Sequence, residues 1–217
     1  MFNPPKLFNT NFFLSAMHVA LLFSGGKDSS LAAYLLGKLG FDIKLVCATF
    51  GVNDNWKHAQ KSAEALGYDF EAINIEHRIL DEAADIVIRD GYPRHAIDLL
   101  HKHALEAAAE RGYKVLSDGT RRDDKSPRLS MQDYRALEDG YKVEYLPVLW
   151  GFGHKTINRM ATELFEITEG ESSKINKGDY EGELRTYLEK MGLDINKIFP
   201  AHTQSRVISQ RTKICQK

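Results

Sequence analysis

Short apolar runs, each followed by a stretch of helical periodicity, restrict this chain to one kind of architecture. Residues 18–23, 43–50, 69–75, 113–117 and 144–147 read as five strands, and residues 29–39, 53–66, 79–89, 95–111, 130–139 and 154–165 read as the helices between and after them. Within the first of these helices Leu31, Tyr34, Leu35 and Leu39 recur at helical spacing, and Gly40 is a suitable stop. The run Ile43 to Phe50 is almost continuously apolar, as expected of a strand buried on both faces. Successive parallel strands need a crossover, and a helix is the usual one. The expected fold class is therefore α/β: a doubly wound parallel five-stranded sheet with helices on both faces.

After Thr168 the pattern changes and the composition turns polar, rich in Gly, Lys and Ser. Residues 181–191 read as one late helix, and the remainder reads as an extended tail bearing Arg206, Arg211, Lys213 and Lys217 with few acids. The expected division is an N-terminal extension 1–16, a main domain 17–168, and a C-terminal appendage 169–217 of helix and basic tail. His202, Gln204 and Arg206 are the tail residues that would meet a site if the tail folded back.

The formal net charge of -1 demands no nucleic acid, so contact with RNA would need a local basic patch. The two cysteines, Cys47 and Cys215, form neither a disulfide framework nor a zinc pattern. Cys47 lies in an apolar run and reads as a small buried hydrophobe. Phe12 to Phe23 superficially resembles a signal peptide, but it runs straight into a polar glycine-rich turn, and no small-x-small cleavage site precedes the domain. No stretch reaches the ~20 apolar residues of a membrane span. The expectation is a soluble cytoplasmic protein with no membrane partner.

The residues that join the first strand to its helix are Ser24-Gly25-Gly26-Lys27-Asp28-Ser29-Ser30. In a doubly wound sheet, ligands sit beyond the carboxyl ends of the strands. A loop there that opens a helix has free N–H groups, and the helix dipole favours negative charge at that end. Gly25 and Gly26 permit close approach, Lys27 adds a cation, and the serines add hydroxyl donors. Asp28 either caps the helix or holds a magnesium ion together with phosphate oxygens. The loop is a phosphate cradle. Its spacing is neither G-x-x-x-x-G-K-[ST] nor G-x-G-x-x-G.

Ser24 to Ser29 resembles the SGGxDS signature of the PP-loop ATP pyrophosphatases, or adenine nucleotide alpha hydrolases. Asp118-Gly119-Thr120-Arg121-Arg122-Asp123-Asp124 is similar to that family's DGTNADD element, with two arginines in place of Asn-Ala. Pro147 to Lys155 is similar to its P-L-x-G-x-x-K element. The whole chain also resembles a small archaeal-type group predicted to be associated with tRNA 2-thiouridine modification. The resemblance implies a Rossmann-like (HUP) sheet and an enzyme that cleaves ATP to AMP and pyrophosphate, activating a substrate oxygen for a nucleophile. The implied cofactors are ATP and Mg²⁺; the implied partners are tRNA, an external sulfur or ammonia donor, and a second copy in a homodimer.

By the same resemblance, Ser24, Gly25, Gly26, Lys27, Asp28 and Ser29 hold the pyrophosphate, and Ala48, Thr49 and Phe50 line the adenine through backbone groups. Gly119 and Thr120 face the alpha phosphate or ribose. Asp28 and Asp123 are the implied metal ligands, and Lys155 a phosphate contact; Asp124 is expected to be solvated. His101 and His103 lie two apart and cannot share a helix face, which argues against a metal site and favours a solvated face. Thiolating relatives often show paired cysteines, which this chain lacks. A small-molecule amide- or amine-forming ligase, and a nucleotide-binding regulatory module without turnover, are the alternative functions.

Overall fold

The computed structural model describes residues 17–171, 175–200 and 202–211. The expected extension 1–16 and Cys215 lie outside the described residues. The chain runs β1 (His18–Leu22), α1 (Lys27–Lys38), β2 (Asp42–Thr49), α2 (Trp56–Leu66), β3 (Asp69–Asn74), α3 (His77–Asp90), α4 (Arg94–Glu110), β4 (Val115–Ser117), α5 (Met131–Tyr141), β5 (Glu144–Tyr145) and α6 (His154–Leu164). It continues through β6 (Phe165–Glu171), α7 (Tyr180–Lys190), α8 (Ile195–Ile198) and β7 (Thr203–Gln210).

Five strands form a parallel sheet in the order β3-β2-β1-β4-β5. The order reverses at β1, which pairs with β2 on one side (Leu22 opposite Val46) and with β4 on the other (Leu21 opposite Ser117). The loops leaving β1 and β4 therefore emerge side by side at the switch point. Alternation along β1 serves both layers. Val19, Leu21 and Phe23 pack with Leu31 and Leu36 of α1 and Ile157 and Ala161 of α6. Ala20 and Leu22 pack with Ala104, Leu105 and Ala108 of α4 and Tyr134 and Leu137 of α5. A third cluster joins α3, α4 and α7 through Leu80, Val87, Leu100, Leu184 and Leu188.

The last fifty residues depart from expectation. The boundary placed at residue 168 falls inside β6, and residues 203–210 of the segment read as a basic tail are β7, paired antiparallel with β6 from Phe165–Gln210 to Glu171–Thr203, while Lys213 and Lys217 lie outside the described residues. Val207 of β7 and Phe165 of β6 enter the same core layer as α1, so the hairpin is part of the main body. On β7 the consecutive residues Gln204 and Ser205, which face opposite ways, are both buried but polar, so the strand lacks the apolar alternation that announces one.

Candidate functional site

A cavity of about 340 Å³ opens at the switch point, over the carboxyl ends of β1, β2 and β4. Ser24, Lys27, Asp28, Ser29, Ala48, Gly119 and Thr120 line it. These are the expected residues that the fold brings together. Leu22, Val46, Ala48, Ile97 and Ala104 supply an apolar slot within its lining, which is otherwise largely polar.

The loop at its floor is tightly fixed. Gly25 adopts φ +80°, and a Cβ there would lie 3.1 Å from Ser62 Oγ and 3.2 Å from Ala59 Cα, so only glycine fits. Gly26 is the N-cap of α1 and offers no side-chain cap of its own; apart from Lys27 N, which donates to Ser205 Oγ, the helix start is available to an anion. Gly119 packs against that same start, since a Cβ on it would meet Ser29 N at 2.8 Å and Ser29 Cα at 2.9 Å. Gly25 and Gly26 themselves shape the loop rather than line the cavity.

Lys27 Nζ donates to Glu169 Oε1 of β6 at 3.1 Å, and Lys27 N donates to Ser205 Oγ of β7 at 3.3 Å. The Gly25 carbonyl accepts from Val207 N at 2.9 Å and the Ser24 carbonyl from Gly178 N at 2.9 Å. His202 and Gln204 line the cavity too, whereas Arg206 binds His58 Nδ1 at 2.9 Å and the Asn176 carbonyl, away from it. The appended segment thus forms a second wall.

Burial pushes the Asp28 carboxyl up, with Arg121 acting against it. Its Oδ2 is 3.5 Å from Arg121 Nε, while Oδ1 is buried without a hydrogen-bond partner. An orphaned buried carboxylate oxygen costs ~1–3 kcal/mol or more unless something meets it. No group of three or more His, Cys, Asp or Glu that could hold a metal occurs among the described residues. The donor set therefore fits Mg²⁺ arriving with phosphate oxygens and waters, with Asp28 as its carboxylate.

Several expected roles shift. Asp123 does not line the cavity: its Oδ2 accepts from His154 N at 2.9 Å, a bond that leads in holding its carboxyl below the usual range. Asp124, expected in solvent, lines the cavity and accepts from Arg121 N at 2.6 Å and Arg121 Nε at 2.9 Å. Its bonds close a turn that aims Arg121 at Asp28. Lys155 is exposed on the first turn of α6, and His154 lines the cavity instead. Thr49 and Phe50 do not line it either. Glu183 of α7 accepts from Thr49 Oγ1 at 2.6 Å and from Phe50 N at 2.6 Å, and the Thr49 carbonyl accepts from Ile75 N. With those backbone groups taken, of the three only Ala48 reaches the slot.

Two features were missed in the sequence. His101 is 2% exposed, not solvated. Its Nε2 lies 2.9 Å from Asp118 Oδ2 and its Nδ1 2.8 Å from Tyr180 OH. Burial drives the Asp118 carboxyl up, but His101, Thr120 and Tyr145 outweigh it and hold the group below its usual value. Burial pushes the Tyr145 and Tyr180 phenols well up, so both are donors. With Asp118 ionised, Nε2–H donates to it and Nδ1 accepts from Tyr180. Spacing carried the signal: Ile97, His101, Ala104 and Ala108 form one helical stripe. Lys177 is the second feature. It lines the cavity and pairs with Asp179 at 2.9 Å. Burial lowers its affinity for a proton, but Asp179 and Glu181 outweigh that and hold it above the ordinary value. No motif surrounds it.

Residues 17–209 match the model of DUF7411, a family of unknown function. The chain belongs to that family. An uncharacterized protein of Methanocaldococcus jannaschii is 41% identical over 201 residues, covering 93% of this chain and all of that one. A solved structure from the same organism, named as that of a predicted subunit of tRNA methyltransferase, has a TM-score of 0.83 at 41% identity, over 91% of this chain and 100% of that one. This DUF7411 member also resembles the tRNA-specific 2-thiouridylase of Clostridium botulinum, at 35% identity over 78 residues, or 32% of this chain and 22% of that one. The U34-tRNA thiolase NcsA of Methanococcus maripaludis, with its [4Fe-4S] cluster, shares the fold at TM-score 0.50 and 17% identity, over 67% of this chain and 56% of that one. No helix among the described residues is long and apolar enough to cross a membrane.

Proposed function

We propose that this DUF7411 protein binds ATP in the switch-point cavity, cleaves it between the alpha and beta phosphates, and transfers AMP to an oxygen of an RNA acceptor. One observation carries this reading: the buried, unpartnered Asp28 Oδ1 sits in the first turn of α1, behind a glycine N-cap, in a cavity also lined by Lys27, Arg121 and Lys177. Such a group of cations and donors suits a triphosphate and leaves one carboxylate oxygen for the ion that travels with it. The slot of Leu22, Val46, Ala48, Ile97 and Ala104 suits a flat base.

Cleavage builds negative charge on the leaving pyrophosphate. Lys27 and Lys177 hold fixed positive charge at that end, and the dipole of α1 points the same way. Mg²⁺, when bound, supplies further neutralisation of the phosphate oxygens. Arg121, aimed by Asp124, orients the phosphate nearest Asp118 to Thr120. The named tRNA roles of the relatives support RNA as acceptor, ahead of a small molecule.

If thiolation follows, Cys47 is a poor sulfur carrier. It is buried, its Sγ donates to the Gly178 carbonyl at 3.3 Å, and burial pushes its thiol well up, away from the reactive thiolate. The sulfur then comes from an external donor or from Cys215, which lies outside the described residues. The test is alpha-labelled ATP with Mg²⁺ and total tRNA, with and without ribonuclease. RNA-dependent AMP is the expected result. AMP untouched by ribonuclease would redirect the reading to a small-molecule ligase. ATP binding with no AMP under any condition would leave a nucleotide-binding module.

A further inference from the structure

We propose that an arc of unpaired cations beside the cavity mouth grips the phosphate backbone of the RNA acceptor; this rests on the reading of the acceptor as RNA. The topology makes the arc. α4 leads directly into β4, and α6 follows β5, so both helices start at the carboxyl edge of the parallel sheet. They lie in opposite layers, α4 with the β1–β4 face that holds Leu22 and α6 with the face that holds Leu21. The loop from Thr120 to Ser130 spans the gap between their starts. Ser126 Oγ donates to the Arg94 carbonyl at 3.3 Å and Arg128 N to Asp98 Oδ1 at 2.8 Å, at the α4 end. Arg122 N donates to the Phe152 carbonyl at 3.3 Å, and Asp123 accepts from His154 N, at the α6 end.

This bridge lines up Arg94, Arg128, Lys125, Arg122 and Lys155 from one layer to the other. All five are exposed, and none pairs with a carboxylate among the described residues. Arg121 between them is different: it is spent on Asp124 and Asp28 inside the cavity. The acids beside the arc, among them Asp98, Asp123, Asp90 and Asp133, bind backbone donors or other side chains and form no ion pair with its five cations. In a chain of net charge -1, five free cations along one edge form a segregated patch. Arg121, Ser126, Pro127 and His154 line the cavity itself, so the arc borders its mouth. A string of phosphates laid along it would present one nucleotide to the site. Isolated surface cations spread at random would not follow this line.

The experiment titrates fluorescent total tRNA onto the full chain over a range of salt. Each phosphate contact contributes about 0.7–0.9 to the slope of log affinity against log salt. The combined variant Arg122→Gln, Lys125→Gln, Arg128→Gln should lower that slope by about 2–3 and weaken binding about tenfold or more, with ATP affinity and melting temperature unchanged. Arg94→Gln, on a separate element, should lower it by about 1, which guards against a rearranged loop. Unchanged slope and affinity in both variants would overturn the proposal, as would parent protein that binds no tRNA, or tRNA displaced equally well by polyglutamate. RNA-dependent AMP formation that survives the triple variant unchanged would overturn the arc while leaving the function intact. Arc-dependent tRNA binding with no AMP would uphold the arc and remove the adenylation reading.

Discussion

The two walls of the cavity are made in different ways. The sheet wall, comprising the Ser24–Ser29 loop, Ala48 and Asp118 to Thr120, is held by strand pairing and by the close packing of β4 on the start of α1. The appended wall, residues 177–181 and 202–205, meets it at the cavity through polar contacts (Gly178 to Ser24, Val207 to Gly25, Ser205 and Glu169 to Lys27, Tyr180 to His101, and Glu183 to the end of β2), while Val207 and Leu184, further along β7 and α7, anchor its elements in the core. Damage to the first wall should therefore unfold the protein, whereas damage to the second should open the site and leave the sheet standing.

The largest test of that contrast is Asp118→Ala. Asp118 is buried and accepts from His101, Thr120 and Tyr145, so its loss strands three groups. Breaking one partner of a buried pair costs about 3–5 kcal/mol, and the thermal or urea unfolding transition should shift accordingly. The pH dependence follows from the same bonds. The native carboxyl titrates below its ordinary value of about 3.9. Its contribution is thus fully present above that value and is lost as pH falls through the native one. Acid unfolding curves should show this loss in the parent and not in the variant. A variant as stable as the parent would mean that the network does not hold the sheet wall.

Next in size is a matched pair of glycines, one in each wall. In Gly119→Ala the new methyl meets the backbone of Ser29, which cannot move without shifting α1. In Gly178→Ala it meets Ala59 Cβ at 2.7 Å and Cys47 Sγ at 2.8 Å, so the loop before α7 must shift away from α2 and β2. Overpacking costs about 1–3 kcal/mol. For Gly119→Ala the cost should be global, lowering Tm by roughly 2–12 °C. For Gly178→Ala it should fall on the appended wall, raising hydrogen exchange in residues 175–183 and β7 and weakening ATP binding, with β1 and β4 protected as before. Equal global destabilisation by both would show that the walls form one cooperative unit.

The same contrast explains what could be read from the chain. The five strands and the glycine loop were legible because burial on both faces imposes apolar runs and because a phosphate cradle needs small residues at a strand end. Ala48, Gly119 and Thr120 came from the resemblance to the PP-loop family, which sets them at neighbouring strand ends. The hairpin was not legible: β7 buries Gln204 and Ser205 where an apolar residue would have signalled a strand. Thr49 and Phe50 were misplaced for a related reason, because Glu183, more than 130 residues away, takes their groups. Asp123 and Asp124 exchanged roles because a turn closed by Arg121 decides which carboxylate faces inward, and neighbours in sequence look alike.

The smallest effect on stability comes from Glu169→Gln, and it bears most directly on how the walls cooperate. Glu169 is 52% exposed and holds Lys27 Nζ at 3.1 Å. A half-exposed pair contributes about 0–1 kcal/mol, so melting should barely change. Ligand affinity should change more. A phosphate entering the cavity competes with Glu169 for Lys27, and the carboxylate also repels the phosphate. Removing its charge while keeping its shape should tighten nucleotide binding a few-fold, most strongly at low salt, as measured by titration with labelled ATP. Weaker binding would mean that Glu169 holds Lys27 in the position the phosphate needs, so that the appended wall preorganises the loop instead of guarding it. In that case Lys27→Ala and Glu169→Gln should weaken binding non-additively, and a double-mutant cycle on ATP affinity would show the coupling.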